Sequence, residues 1–355
     1  MMKATVRFAD SLGIICFVVA CSPAKREDDP RTKGTGTPPA GTVVALQEDA
    51  VLKEIHAFRR EMRQWYNARK FDDLEQRAAE LRASKDVFGN GRWKIQNFYD
   101  SLECADNEPE SMWLLHKQIH EDWLAKKPAS ITARVAFADF WVSYAWHARG
   151  SDWAKTVTKE GWRLFGERLD NALKIVDETR AMSEKDPYLW SVNLAIALGQ
   201  GWDWKAYNEL MTEAHSVEPL FWSYDTARAY SLLPRWHGKP GDWERYARIS
   251  SVRGGGVGSE AYARIVIHLM KYYGNIFNET QASWPSTRKG FEAMLTKYPS
   301  SEEVVQFAAL LAFQAGDRDF ARPLADRMGN AYLKSVWGKP ERFQAFQAWM
   351  ATAGE

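Results

Sequence analysis

The chain has 355 residues, 45% of them hydrophobic and 13% aromatic with 17 Trp, so apolar surface suffices for a sizeable core and a wholly disordered chain is excluded. Lys and Arg number 47 against 46 Asp and Glu, and removal of the first twenty residues would leave the two signs balanced. A neutral chain has no electrostatic excess with which to hold phosphates, so nucleic acid is not an expected partner.

The opening "MMKATVRFADSLGIICFVVACS" pairs a short basic region, Lys3 and Arg7, with an apolar run from Leu12 to Ala20. That run falls short of the ~20 apolar residues that span a bilayer core and suits the hydrophobic segment of a secretory signal. Val18-Val19-Ala20-Cys21 resembles the lipobox of bacterial lipoproteins, with an aliphatic residue three before the Cys and a small one directly before it. The resemblance implies a diacylglyceryl group on the Cys21 thiol, cleavage before Cys21 and acylation of the new amino terminus. Two or more acyl chains give stable membrane residence. Val18 and Ala20 also satisfy the small-residue rule of ordinary signal peptidase, which would release a soluble exported protein, and a mis-assigned start would leave a cytosolic one. Ser22 stands where a retention Asp could have stood, which in a cell with two membranes implies the outer membrane, facing the periplasm. Cysteine usage agrees with lipidation: cleavage removes Cys16, acylation consumes Cys21, and Cys104 has no intramolecular partner left.

Residues 21–46, opening "CSPAKREDDPRTKGTGTPPAGT", offer almost nothing to bury and read as a disordered tether that would hold its domain roughly 25–30 Å from the anchor. From 47 to 355 the hydrophobic periodicity is helical. In "SEEVVQFAALLAFQAGD", Val304, Phe307, Ala308, Leu311, Ala312 and Ala315 fall on one helix face, with Ser300 or Ser301 as cap. Phe320, Leu324 and Met328 form the next stripe, which stops at Gly329, so the two segments predict a helical hairpin. A helix, a Gly or polar turn, then an aromatic entering the next helix recurs in "ARKFDDLEQRAAEL", "ARGSDWAKT", "GQGWDWKAYNELM" and "HGKPGDWERYARIS". "WHGKPGDW" and "WGKPERF" echo one another at Trp236 and Trp337. This degenerate repeat is similar to tetratricopeptide hairpins and predicts an all-α fold, an α-solenoid that could curve to close partly on itself.

The stretches "DDLEQRAAELRASKDVFGNGRWKIQNFYDSL" (72–102) and "YSLLPRWHGKPGDWERYA" (230–247) resemble a DUF4034-like family of bacterial proteins, whose domain is of unknown function. The resemblance would cover roughly residues 50–320. It implies bacterial origin and a helical-repeat fold, and it carries over no catalytic residues.

Several residue sets invite a chemical reading. His116 and His120 in "HKQIHEDW" have metal-binding i, i+4 spacing, but Lys117 occupies the place where an HExxH peptidase needs its Glu base, so a structural role is the stronger reading. "RGGGVGSE" (253–260) lacks the Gly-Lys-Ser/Thr ending of a phosphate loop and reads as an inter-helix turn. Asp139, Asp203 and Glu260 are carboxylates flanked by aromatics, but glycoside cleavage needs two that converge across a groove, which sequence does not show. Trp93, Phe98 and Tyr99, with Trp236, Trp243 and Tyr246, either fill the seams between hairpins or line a groove that stacks on sugar rings or grips a peptide. Arg92, Asp100, Arg235 and Asp242 beside them would pair if buried and orient a ligand if exposed.

No residue set names a reaction, and no metal or cofactor is implied. The expected role is a membrane-anchored envelope lipoprotein whose repeat body binds a protein or peptide partner. Trp93, Tyr99, Arg235, Trp236 and Trp243 are the candidate surface for it. The alternative is a protein that binds or processes an envelope glycan, peptidoglycan above all, through a Trp-rich groove.

Overall fold

The computed structural model describes residues 44–150 and 154–352. The signal segment, Cys21 and almost all of the expected tether lie outside the described residues.

Among the described residues the secondary structure is seventeen α-helices, two short 3-10 turns and two strands of two residues each, an all-α body. In chain order the helices are α1 (Ala50–Asn67), α2 (Phe71–Ser84), α3 (Lys94–Asp100), α4 (Glu110–Lys126), α5 (Ile131–Arg149), α6 (Lys159–Arg180), α7 (Pro187–Gln200), α8 (Trp204–Val217) and α9 (Ser223–Ser231). There follow α10 (Asp242–Ser251), α11 (Glu260–Leu269), α12 (Ile276–Glu279), α13 (Trp284–Lys297), α14 (Glu302–Ala315), α15 (Arg318–Met328), α16 (Lys334–Trp337) and α17 (Pro340–Ala351).

Short polar side chains start many of these helices by taking an otherwise orphaned N–H. Ser130 accepts from the Ala133 N–H at 2.9 Å before α5, Asp203 from Ala206 at 2.8 Å before α8, and Ser301 from Val304 at 3.2 Å before α14. Gly316 takes the left-handed conformation (φ 77°) that ends α14, and α15 packs back on it, so the hairpin legible at 304–328 is present. Most helices pack on their neighbours in sequence: α5 on α4, α6 and α7, α7 on α8 and α9, α11 on α9, α10 and α13.

What the periodicity did not show is how the two ends meet. The strand β1 (Ala45–Leu46) pairs in parallel with β2 (Ala331–Tyr332). One Asp49 Oδ1 caps α1 through the Val51 N–H at 2.7 Å, while its Oδ2 accepts the Glu303 N–H in the first turn of α14 at 3.0 Å. A single carboxylate thus serves two helix N-termini far apart in sequence, where their dipoles favour negative charge. The loop 85–93 completes the clasp. Glu303 accepts from Arg92 at 2.6 Å and from Asn90 at 2.9 Å, the Asn90 carbonyl accepts from Arg264 at 3.0 Å, and the Gly91 carbonyl accepts from the Trp222 indole at 2.9 Å. Gly91 sits at φ +79°, and a Cβ there would lie 2.3 Å from an Arg264 nitrogen and 2.4 Å from the Tyr298 ring. Only glycine fits.

Two large apolar clusters result, one running from α1 to α9 and the other from the end of α7 to α17. Trp146 and Tyr246 pack against both, so they mark the seam between the clusters.

Candidate functional site

Of the five residues expected to form a partner surface, three are in the core. Trp93, Tyr99 and Trp243 are 5%, 1% and 1% exposed, so the phrases that hold them serve packing rather than presentation. Trp93 packs on Phe221 with ring centres 5.0 Å apart, and Tyr99 stacks on Tyr188 at 4.7 Å while donating to Asp186 at 2.6 Å. Arg235 and Trp236 are only half-buried, in the connection between α9 and α10. They have more neighbours of their own kind than the sequence suggested.

From α5, α6, the α9–α10 connection and the turn after α11, aromatic rings meet edge to face in a continuous series. Trp162 contacts Phe165 at 5.8 Å, Phe165 contacts Trp146 at 4.9 Å, Trp146 contacts Trp236 at 5.8 Å, and Trp236 contacts Tyr230 at 5.7 Å. Tyr230 then stacks on Tyr272 at 5.5 Å. Cations lie over the ring faces: the Arg149 guanidinium stands 5.4–5.9 Å from Trp146, Trp162 and Trp236, and Arg235 stands 6.0 Å from Trp236 and 5.3 Å from Tyr272. The negative faces of the rings hold these cations in place. Trp162 is 41% exposed at one end of the strip, and the strip follows the seam between the two apolar clusters.

At the other end Tyr230 and Tyr272 line a cleft of about 400 Å³, mouth included, between α7, α8, α9 and α11. Its interior void is about 20 Å³, room for one water-sized group. Leu194 and Leu198 form its apolar wall, and His268, 6% exposed, reaches it from α11. Burial, with Lys271 adding to it, holds the His268 imidazole well below the ordinary histidine range, so the ring is neutral at pH 7. Its Nδ1 is buried and has no hydrogen-bond partner among the described residues.

A second polar cluster lies deep between α3, α5 and α7. The Tyr188 hydroxyl is 3.3 Å from both Asp100 and Asp139. Burial, then the charge of Asp100, pushes the Asp139 carboxyl up to about 8, and burial raises Asp100 too. At neutral pH Asp139 is largely protonated, which lets two buried carboxyl groups share one hydroxyl without two full charges. Asp100, Asp139 and Tyr188 are all buried, at 4%, 8% and 2% exposure.

The remaining sequence candidates do not assemble. Asp203 caps α8, Glu260 is engaged by Arg264, Lys297 and Tyr298, and Asp139 faces Tyr188, so the three carboxylates share no partner. His116 and His120 are buried against Tyr66, with ring centres 5.4 and 5.2 Å away, and burial lowers them to about 4 and about 3. No group of three metal-ligating side chains converges among the described residues. Gly255 and Gly258 are turn residues with positive φ, while Arg253 at the start of that loop pairs with Asp225.

Trp146, Trp162, His268 and Tyr272 carry no sequence motif, and they meet Arg149 and Tyr230 only because four separate segments come together at one seam. The signal available was density: "SYAWHAR" and "HLMKYY" hold aromatic and basic residues at a spacing that a single buried stripe does not need. No helix among the described residues is long and apolar enough to cross a membrane. Comparison of the chain with protein-family models, with curated proteins and with solved structures finds no match.

Proposed function

We propose that the chain is an exported lipoprotein, anchored through Cys21 in the bacterial envelope, whose body is an α-solenoid of tetratricopeptide-like hairpins closed end to end and binds a protein or peptide partner. The observation that carries this reading is the strip of rings and guanidinium groups along the seam, exposed at Trp162 and half-buried at Trp146, Arg235, Trp236 and Tyr272. Aromatic and Arg side chains dominate the energetics of protein interfaces because they bury large areas at low entropic cost. Seams between packed units are also a preferred place for ligand sites. The stacking of hairpins in sequence order supports the solenoid, and the DUF4034-like resemblance belongs to the same proposal. A second reading, binding of an envelope glycan, draws on the unbroken series of rings, since sugar faces stack on such rings.

The anchor is tested by intact mass and membrane fractionation beside a Cys21→Ala variant: acyl mass on an N-terminal Cys21 and loss of the membrane fraction in the variant are expected. The strip is tested by placing a photo-crosslinking residue at Trp162 in the producing bacterium. The expected result is a discrete protein adduct that disappears when Arg235→Glu is added to a protein that still folds. Retention on purified peptidoglycan that Arg235→Glu abolishes would instead assign the strip to the glycan, and neither result would end both readings.

A further inference from the structure

We propose that the cleft at the Tyr272 end of the strip captures the free carboxylate end of a peptide chain that finishes in a small apolar residue. This inference rests on the strip's being a binding surface for a protein or peptide. Four features select that chemistry. Leu194 and Leu198 offer an apolar wall, and the interior void admits a group no larger than about one water molecule, which suits a methyl-sized side chain and excludes a ring. His268 brings a buried ring nitrogen, without a hydrogen-bond partner among the described residues, to the same space. A neutral imidazole carries one donor and one acceptor nitrogen, so Nδ1 can meet the N–H or C=O of a peptide backbone. Leaving such a buried nitrogen unpaired is costly, and a ligand that pairs it relieves that cost.

The third feature is charge. Arg235 and the exposed Lys271 stand 5.3 and 5.2 Å from the centre of the Tyr272 ring, which itself lines the cleft, and Arg235 has no ion-pair partner among the described residues. Finally, no acidic side chain lines the cleft, so its lining does not repel a carboxylate. A guanidinium held on a ring face keeps its N–H edge free for a carboxylate, the pairing its planar fork favours. An internal peptide segment would bring no carboxylate, and a saccharide without an acid group would leave Arg235 without an ion pair.

The test is calorimetric titration of the full-length protein in detergent with tetra-alanine as the free acid, with its C-terminal amide, and with propionate. Expected are binding of the acid, at least ten-fold weaker binding of the amide, and a shift of the His268 imidazole resonances on saturation. Arg235→Gln, a half-buried position whose change leaves the core intact, should lower affinity for the acid about ten-fold and leave the amide unchanged. Equal binding of acid and amide, propionate binding as tightly as the peptide, or no binding of either peptide would each overturn the proposal. Its failure is separable from failure of the strip reading. A Trp162 adduct that Arg235→Glu removes, with tetra-alanine inert, sinks only the chain-end assignment.

Discussion

Two phrases that read alike in the sequence, "GNGRWK" at 89–94 and "LPRWHG" at 233–238, end in opposite environments. In the first, Arg92 is held by Glu303, Asn90 bridges Glu303 and Arg264, the Gly91 carbonyl takes the Trp222 N–H, and Trp93 is buried on Phe221. In the second, Arg235 lies against the faces of Trp236 and Tyr272 with no ion pair among the described residues, and Trp236 stays half-buried. The residue types are the same; the supply of partners differs. Where α14 delivers a carboxylate to the phrase, Arg and Trp become a clasp. Where no carboxylate pairs with it among the described residues, the phrase stays half-buried against ring faces.

The comparison breaks most visibly at the clasp. Glu303→Ala leaves Arg92 charged, buried and alone, and should destabilise the protein by about 3–5 kcal/mol in urea unfolding. Adding Arg92→Met should recover part of that loss, because removing both charges is far cheaper than removing one. A Glu303→Ala protein as stable as wild type would mean that the ends are not held by this pair. Next in size, Trp93→Ala should cost about 3–5 kcal/mol by opening a cavity against Phe221. Gly91→Ala should cost about 3 kcal/mol, from overpacking against Arg264 and Tyr298 together with the strain of a Cβ at positive φ.

How much of this was legible in the sequence follows from the range over which each signal acts. Helix periodicity, caps and the 304–328 hairpin are local, and Ser301, Gly316 and the apolar stripe between them were readable as they stand. The burial of Trp93 and Tyr99 was one of two open readings, and nothing in "GNGRWK" could decide it, because the deciding carboxylate lies some two hundred residues away. Asp49 carries no sequence signal of its second role as a cap on α14, which depends on the two ends of the body meeting. The strip was half legible: Arg235 and Trp236 stood out, but their neighbours come from α5, α6 and the turn after α11, and sequence carries no sign of which segments share a seam.

The clasp side also gives the fold a pH dependence. The helix that leaves Trp93 carries Asp100 to Tyr188 and Asp139, two buried acids that share one hydroxyl. Asp139 is raised to about 8 in the folded protein, by burial first and by Asp100 second, against about 3.9 in the unfolded chain. Between those values the folded state holds a proton that the unfolded state has lost. Stability is therefore full at low pH and falls as pH rises, by at most about 1.4 kcal/mol per unit, until it levels off above the folded value. Urea midpoints measured from pH 5 to 9 should decline, and Asp139→Asn should flatten the decline. An unchanged slope in that variant would place the titrating group elsewhere.

The smallest expected effect on stability is the most informative about function. Trp162 is 41% exposed and meets the strip through Phe165 and Arg149, so Trp162→Ala removes less buried surface than truncation of a core Trp. Its cost should stay at about 1 kcal/mol, below the roughly 3–5 kcal/mol of a fully buried Trp. If the strip were only the visible edge of the core, that variant would be silent in every binding assay. A binding surface predicts otherwise, because an aromatic anchor lost from an interface typically costs about 2 kcal/mol or more of affinity whatever it contributes to folding. Urea unfolding of Trp162→Ala beside adduct formation from a photo-crosslinker placed at Lys271 separates the two cases. A small stability loss with a lost adduct makes the strip a site, and a small stability loss with an unchanged adduct returns Trp162 to the background of partly exposed apolar residues that any folded surface carries.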